Sequence, residues 1–553
     1  MRSVEPGTRR TAETALDRAR EVVRERTWLV DVALLAALTA VAAALRLALL
    51  GDVPYGVHPD EAQVGTDAHR IMEEGWIGVY THAALGQPAG HAYLATPIIW
   101  LLGDTAFALR LPLALVAIAA VPLLYALVRV SFGRAEAFFA AALLAISYWH
   151  LLYSRVAHWS ISYGTVVLAV LLCVMLGMRQ RRMAWFVAGG ALLGLGVYTY
   201  NIYPIAIVAV AAFLAITTAI RWRERDDVAS WLRSVGAFGA AALVVALPFI
   251  VYIADPDAYY WEHILDYSDV SVTQSREFEE AGFPERARLI GEQAWTFART
   301  YAYDADPDIV DGNGLRPVFE PLTLLLIGAG LILAWRYRRE PMVIAALCCT
   351  FIIPLPAVLQ QGSIMRQPVA AAPFVMFIAA LPLAAVWRAG VEQPRWRILS
   401  VAAVAIALGS LAAISVRDYF FTWRDDPWVR LIYHEEITAV SEYLDRLPDG
   451  TYVYFYSDRA PLDLETRQFL APGVEGEDRS REFSDWDASI ESIDRSRPVV
   501  FALLEPYMEL IDEIEERYPG GRAVEGRREG RLHFRAYELP ARPGAREPAV
   551  EPP

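Results

Sequence analysis

The feature that most constrains this chain is a series of about eleven apolar runs, each long enough to cross a membrane as a helix. A bilayer core about 30 Å thick needs about 20 apolar residues of helix, which pairs its own backbone polar groups. The chain is therefore expected to be a polytopic α-helical membrane protein. The predicted spans are 28–50, 105–129, 135–153, 161–178, 184–200, 202–220, 231–253, 317–335, 342–360, 367–387 and 397–415.

Arginine-rich connections between the spans all fall on one side of the membrane. The chain has 50 basic residues, and all of them are arginine. Because short basic loops stay in the cytoplasm, residues 1–27 and these connections are predicted to be cytoplasmic. Loops 51–103 and 254–315 and the C-terminal region are then extracytoplasmic, and the expected location is the cell membrane. The arginines that set this orientation are Arg9, Arg10, Arg18, Arg20, Arg24, Arg26, Arg129, Arg134, Arg179, Arg181, Arg182, Arg221, Arg223, Arg225, Arg336, Arg338, Arg339, Arg388, Arg395 and Arg397.

Residues 417–540 differ in character from the spans. Their apolar runs are short: 452–456 and 499–504 are typical of strands, whereas 437–447 and 507–518 are typical of amphipathic helices. A small extracytoplasmic α/β domain is therefore predicted, followed by a disordered tail, 541–553. The net charge of the chain is −14, and the excess of acids argues against nucleic acid as a partner.

Two adjacent carboxylates follow the first span in the sequence His58-Pro59-Asp60-Glu61. A carboxylate beside apolar surface at a membrane edge is suited to act as a general base toward a lipid-borne substrate. Neighbouring side chains point in different directions, so separate roles are expected for Asp60 and Glu61. The alternative is a solvated acid pair in a loop, since adjacent acids are common.

Arginines stand at the predicted outer ends of four spans, at positions 46, 110, 155 and 366. The guanidinium group binds phosphate through a planar fork, and its burial near hydrocarbon is costly without an anion. These residues are therefore candidates for holding a phosphate. The alternative is that each side chain reaches to the interface with its charge in water.

An aromatic turn lies at 194–204, where Tyr198, Tyr200 and Asn201 follow two glycines and precede Pro204. A helix broken in this way is expected to line a cavity within the membrane protein. The alternative is an interfacial belt of tyrosines.

The sequence indicates no resident metal or nucleotide. Its three cysteines lie inside apolar runs, and no zinc or phosphate-binding loop pattern is present. Asp304, Asp306 and Asp308 alternate, but the glycine and glutamate of a calcium loop are misplaced. A solvated acidic loop is expected there. No cofactor is predicted, and a divalent-cation requirement is left to experiment.

The segment Val57-His58-Pro59-Asp60-Glu61-Ala62 resembles the first outer loop of GT-C fold glycosyltransferases. The most similar group is family 39, which contains protein O-mannosyltransferases and bacterial lipid A aminoarabinose transferases. The resemblance covers roughly residues 28–390. It continues through segments 75–76, 86–90, 107–112, 153–155, 194–204 and 365–366.

The resemblance implies an inverting transfer of a sugar from a polyprenyl-phosphate donor to a cell-envelope acceptor at the outer face of the membrane. Asp60 would be the base and Glu61 would shape the site. The donor phosphate would contact arginines, and polar and aromatic side chains would line the substrate. The phosphate candidates are Arg110, Arg155 and Arg366, and the lining candidates are His58, Tyr198, Tyr200 and Asn201.

Two other functions are compatible with the pattern of spans. A transporter or flippase of lipid-linked saccharides predicts internal repeats and charges at mid-depth. A membrane scaffold predicts a function carried by the acidic C-terminal region alone. The sequence also departs from the aminoarabinose transferases, because Gly86 and Gln87 are uncharged where those enzymes carry an acid and a lysine before the proline.

Overall fold

The computed structural model describes residues 28–82, 86–262, 275–305, 316–359, 365–480 and 493–542. Within these ranges, eight helices are long and apolar enough to cross a membrane, and a bent pair makes a ninth if it is one span. Two shorter apolar helices, Met183–Leu195 and Pro321–Arg336, occupy the remaining predicted positions. Each of the eleven predicted runs therefore coincides with an apolar helix.

The helices up to the last span are α1 (Trp28–Leu47), α2 (Pro59–Glu74), α3 (Gly90–Leu102), α4 (Ala106–Ser131), α5 (Arg134–Ile146), α6 (Tyr148–Ser154), α7 (Ser160–Gln180), α8 (Met183–Leu195), α9 (Pro204–Glu224), α10 (Val228–Ile253), α11 (Arg276–Glu280), α12 (Phe283–Ala302), α13 (Pro321–Arg336), α14 (Pro341–Ile352), α15 (Leu355–Leu359), α16 (Ala372–Glu392) and α17 (Arg397–Arg417).

The bend between α5 and α6 has a local cause. Their axes meet at 55° around Ser147, whose backbone is extended. The Ser147 hydroxyl accepts a hydrogen bond from the backbone N of His150 (3.4 Å) and so begins α6 as a new helix. After this break, the connection between α6 and α7 is buried within the protein.

The segment between α1 and α4 contains more structure than the sequence predicts. Helix α2 begins at Pro59, so the acid pair lies in a helix rather than in a loop. A short hairpin pairs β1 (Tyr80–Thr81) with β2 (Gln87–Pro88). Helix α3 follows, and its 13 residues are too few to cross a bilayer. Its exposed Trp100 and Leu101 suit a position along the membrane interface.

Charged contacts place several arginine-rich connections at one end of the bundle. Asp31, near the start of α1, accepts hydrogen bonds from Arg129 (3.2 Å) and Arg134 (2.7 Å). The buried carboxylate of Glu136 pairs with Arg388 at the end of α16. The starts of α1 and α5 and the ends of α4 and α16 are therefore together, as the predicted topology requires.

The C-terminal region is an α/β domain, as the sequence predicts. Helix α17 continues through a π-helical stretch, Asp418–Trp423, into this domain. The domain contains α18 (Pro427–Ile432), α19 (Glu435–Leu444), β3 (Tyr452–Tyr456), α20 (Glu465–Leu470), β4 (Glu475–Asp478), β5 (Val499–Leu503), α21 (Ile511–Arg517), β6 (Arg522–Arg528) and β7 (Arg531–Leu539). Its sheet has the strand order β4-β3-β5-β7-β6, parallel for the first three strands and antiparallel for the rest.

The strand alternation divides the domain into two apolar layers. Val453 and Phe455 of β3 pack with α19 on one face of the sheet. Tyr454 and Tyr456 pack with α21 on the other face. Successive residues of a strand point to opposite faces, so one short strand contributes to both layers.

Some predictions fall outside the described residues. These are the cytoplasmic segment 1–27, the parts 263–274 and 306–315 of the acidic loop, and all but the first two residues of the tail 541–553.

Candidate active site

The start of α2 fixes the acid pair. His58 is the N-cap residue: its Nδ1 accepts a hydrogen bond from the backbone N of Asp60 (3.1 Å). In return, Glu61 Oε1 accepts a hydrogen bond from the backbone N of His58 (3.3 Å). This reciprocal capping box satisfies helix N-terminal donors, and carboxylates are favoured in the first turn. The local sequence therefore determines how both acids are oriented.

The two carboxylates lie in different environments, in keeping with separate roles. The Asp60 side chain is 35% exposed, whereas that of Glu61 is 4% exposed. Glu61 Oε2 accepts hydrogen bonds from Arg110 Nε (2.8 Å) and from the backbone N of Ala157 (3.1 Å). Glu61 is thus fully engaged with protein, and Asp60 is the carboxylate available to a substrate.

A pocket opens beside Asp60 and collects four of the residues predicted from the sequence, at positions 58, 60, 61 and 366. The α6–α7 connection and the C-terminal domain supply the other walls. The lining residues are His58, Asp60, Glu61, Tyr153, Val156, Ala157, His158, Arg366 and Tyr433.

His158 is a site residue that the sequence reasoning missed. It precedes α7, and its Nδ1 accepts a hydrogen bond from the backbone N of Ser160 (3.1 Å) and lies 2.9 Å from the Ser160 hydroxyl. Burial lowers the pKa of His158 well below its usual range, and the charge of Arg366 lowers it further. The imidazole is therefore neutral at physiological pH.

The C-terminal domain reaches the pocket through Tyr433. The chain leading into α2 is held by this domain: Val57 N donates to Thr438 Oγ1 (2.9 Å), and Val57 O accepts from Thr466 Oγ1 (3.0 Å). The approach is so close that a Cβ on Gly56 would lie 1.9 Å from the Tyr433 carbonyl oxygen. No pattern within either segment indicates that they meet, and so Tyr433 could not be found from the sequence.

Arg110 and Arg155, predicted to hold phosphate, do not line the pocket. Both side chains are completely buried. Besides Glu61, Arg110 donates to the carbonyl oxygens of Leu50 (3.3 Å) and Pro54 (3.1 Å). Its guanidinium group therefore holds the chain between α1 and α2, away from the pocket beside Asp60.

Arg155 is placed to close the end of α1. It donates to the carbonyl oxygens of Leu45 (3.0 Å), Arg46 (2.9 Å) and Leu49 (3.0 Å). Helix C-termini have unpaired carbonyls and a partial negative charge, which a guanidinium satisfies. Arg46 does the same for α5, donating to Ala145 O (3.0 Å). Arg46 and Arg155 therefore find their acceptors in carbonyl oxygens at helix ends. Of the four arginines predicted from the sequence, Arg366 is the one that lines the pocket.

The aromatic turn lines a separate, apolar groove of about 400 Å³ between α8, α9 and α10. Tyr200 and Asn201 contribute to it, whereas the Tyr198 hydroxyl donates to Val245 O (2.9 Å). Tyr198, Tyr200 and Asn201 are therefore not walls of the acid pocket. The Tyr200 ring lies 5.8 Å from that of His158, so these two side chains form the boundary between groove and pocket.

No group of three or more His, Cys, Asp or Glu in the described ranges is arranged to hold a metal ion. Asp306, Asp308 and Asp311 of the acidic loop lie outside those ranges.

The architecture defines the class of this protein: a bundle of membrane helices, an acid pair in the segment that follows the first of them, and an α/β domain that contributes to the site. The crystal structure of ArnT from Cupriavidus metallidurans bound to undecaprenyl phosphate has the same fold. It aligns over 95% of the chain and 99% of that protein, with a TM-score of 0.55 and 14% identity. Archaeal oligosaccharyltransferase AglB from Archaeoglobus fulgidus, in complex with an inhibitory peptide and a dolichol-phosphate, aligns over 92% and 74%, with a TM-score of 0.51 and 15% identity.

These matches confirm the predicted GT-C fold. More particularly, residues 86–252 match the family described as dolichyl-phosphate-mannose-protein mannosyltransferase. The matched stretch contains Arg110, Arg155 and His158 but neither Asp60 nor Arg366. This similarity to a glycosyltransferase family supports the enzyme class predicted from the sequence. No curated protein matches the chain at the level of sequence.

Proposed function

We propose that this chain is an inverting glycosyltransferase that moves a sugar from a polyprenyl-phosphate donor to an acceptor of the cell envelope, at the outer face of the membrane. The observation that carries the proposal is the pocket itself. It brings Asp60, a carboxylate open to substrate, together with the guanidinium of Arg366 at the edge of the helical bundle. A base and a cation in one pocket are the two groups that a single displacement on a glycosyl phosphate requires.

The proposed reaction is a single displacement, in which one bond to the anomeric carbon forms and another breaks. An acceptor hydroxyl oxygen attacks the anomeric carbon of the donor sugar while Asp60 takes the hydroxyl proton. The bond between the anomeric carbon and the phosphate oxygen breaks, and polyprenyl phosphate leaves with the electron pair. Arg366 stabilises the charge that develops on the phosphate, since guanidinium groups pair well with phosphate oxygens.

The apolar groove is suited to the first part of the polyprenyl chain. It is lined almost entirely by apolar side chains of three helices, and its boundary with the pocket is the contact between Tyr200 and His158. A carrier lipid lying in this groove would have its phosphate at the pocket. The two similar structures were determined with undecaprenyl phosphate and with a dolichol-phosphate, which supports a donor of this chemical class.

Sugar transfer by membranes containing wild type or Asp60→Asn tests the proposal, with a panel of polyprenyl-phosphate sugars as donors. A positioned base contributes about 10²–10⁴-fold, so transfer should fall by that factor in the variant. A parallel reaction with EDTA determines whether a divalent cation is needed.

Asp52→Asn is the matched control, because Asp52 is an exposed carboxylate of the same segment that does not line the pocket. It should transfer as wild type does. Equal transfer by Asp60→Asn and wild type would remove Asp60 from the mechanism. Movement of intact lipid-linked sugar across the bilayer without any transfer would instead favour a flippase.

A further inference from the structure

Two histidines of the pocket are held by the same hydrogen-bond arrangement. His58 stands before α2 and accepts the backbone N–H of Asp60 at Nδ1 (3.1 Å). His158 stands before α7 and accepts the backbone N–H of Ser160 at Nδ1 (3.1 Å). Both line the pocket beside Asp60 and Arg366. The arrangement repeats at two helix N-termini that belong to different parts of the chain.

These hydrogen bonds determine the tautomer of each ring. A nitrogen that accepts a backbone N–H carries no proton, so in the neutral imidazole the proton lies on Nε2. In both histidines, Nε2–H is therefore the group of the ring that can donate a hydrogen bond. His158 is only 9% exposed, and its hydrogen bonds to the described residues all use Nδ1. His158 lines the pocket, so its Nε2–H is a donor at the pocket wall without a protein acceptor among those residues.

A donor in this position can bond an oxygen of a ligand that enters the pocket, because no protein acceptor competes for it among the described residues. Two helix N-termini and Arg366 add positive potential to the same wall. The ligand oxygens that suit this surface are those of an anion. The lowered pKa of His158 means that its imidazole places no second cation beside the Arg366 guanidinium.

We infer that His58 and His158 act as paired Nε2–H donors to the phosphate of the polyprenyl carrier, holding it during and after departure from the sugar. The inference rests on the proposed function for the identity of the carrier. It adds to that function a donor site made by two positioned imidazoles, in which His158 is the residue that sequence reasoning did not find.

Asparagine and glutamine substitutions separate this role from a structural one. The amide oxygen of Asn takes the place of Nδ1 and preserves the hydrogen bond from the backbone N two residues further on, but it leaves no donor at Nε2. The amide nitrogen of Gln takes the place of Nε2 and preserves the donor, but it does not provide that backbone hydrogen bond. A phosphate-binding role ranks His158→Gln above His158→Asn in ligand binding, whereas a purely structural role ranks them in the opposite order.

The experiment measures binding of undecaprenyl phosphate to the purified full-length chain in lipid nanodiscs, together with its thermal stability. His158→Asn should weaken binding by about tenfold to a hundredfold, as expected for a lost hydrogen bond to a charged group. His158→Gln should bind within about threefold of wild type while losing more stability than His158→Asn. His58→Asn and His58→Gln should follow the same order.

His69→Asn is the matched control: His69 lies on α2, pairs with Asp104 (2.7 Å) and is not part of the pocket. Its binding should not change. Wild-type binding by His158→Asn, or weaker binding by His158→Gln than by His158→Asn, would overturn the inference. Binding is measured without any sugar, so a chain that shows the expected order but transfers nothing would retain this phosphate site and lose the proposed reaction.

Discussion

Asp60 and Glu61 are adjacent in the chain, yet their contacts differ: those of Glu61 bear on stability, and those of Asp60 bear on activity. Glu61 neutralises Arg110, and both side chains are buried. Asp60 is the more exposed acid and lines the pocket. Removal of one partner from a buried ion pair leaves an uncompensated charge, whereas removal of a partly exposed carboxylate does not.

Substitution of Glu61 should therefore destabilise the protein, and that of Asp60 should not. Glu61→Ala is expected to cost about 3–5 kcal/mol, because Arg110 remains buried without its carboxylate. Asp60→Asn should stay within about 0.5 kcal/mol of wild type. Thermal denaturation of the purified protein in detergent, followed alongside sugar transfer, measures both quantities.

The double variant Glu61→Ala with Arg110→Leu is the control for this prediction. If the cost comes from the unpaired guanidinium, the double variant should regain part of the stability lost by Glu61→Ala. A single variant as stable as wild type would show that Arg110 finds other acceptors.

At the level of the elements, the C-terminal domain packs so closely against the start of α2 that two glycines there have no room for a Cβ atom. Gly56 packs against the Tyr433 carbonyl, and Gly65 of α2 packs against the Phe469 ring of α20. The segment from Gly56 to Gly65 contains both His58 and Asp60. The domain therefore acts as a support that fixes the start of α2.

Gly56→Ala should disturb this support and reduce transfer. The added Cβ would lie 1.9 Å from a backbone oxygen, which cannot move aside as a flexible side chain can. Overpacking of this kind typically costs about 1–3 kcal/mol. Gly473→Ala is the control. Gly473 lies in the C-terminal domain with open space around it, so this substitution should leave stability and transfer unchanged. Equal behaviour of the two variants in a transfer assay would show that the domain does not position α2.

The membrane helices could be predicted from the sequence because their signal is local. Apolar length, arginine-rich ends and Pro or Gly breaks are all read within one run of about 20 residues. The strands β3 and β5 and the helices α19 and α21 were accessible for the same reason. Strands β4, β6 and β7 were not predicted, and β6 in particular carries mostly exposed, charged residues that give little apolar pattern.

The site was only partly predictable, because its walls come from distant segments. The start of α2 is a compact motif, so Asp60 was found directly. Tyr433 lines the same pocket from a different domain, and that juxtaposition depends on tertiary docking. Buried arginines were also ambiguous. Arg155 donates to carbonyl oxygens at the end of α1, and the sequence does not show which acceptors a guanidinium meets.

Across the molecule, the side of the membrane that carries the pocket follows from how its parts are joined. Tyr433, in the C-terminal domain, lines the pocket with Asp60, so the domain and the pocket lie at the same end. Asp31, Arg129 and Arg134 meet at the start of α1. The arginine pattern predicts that this second end is cytoplasmic and the pocket extracytoplasmic.

Cysteine accessibility tests this orientation, because the three native cysteines are buried. Asp449→Cys, at an exposed turn of the C-terminal domain, should react with a membrane-impermeant maleimide in intact spheroplasts. Arg182→Cys, at the exposed connection between α7 and α8, should react only after lysis. The reverse result would place Asp60 in the cytoplasm and contradict transfer at the outer face. Since Tyr433 lines the pocket and belongs to the same domain as position 449, the label at that position also reports the side on which a donor must be presented.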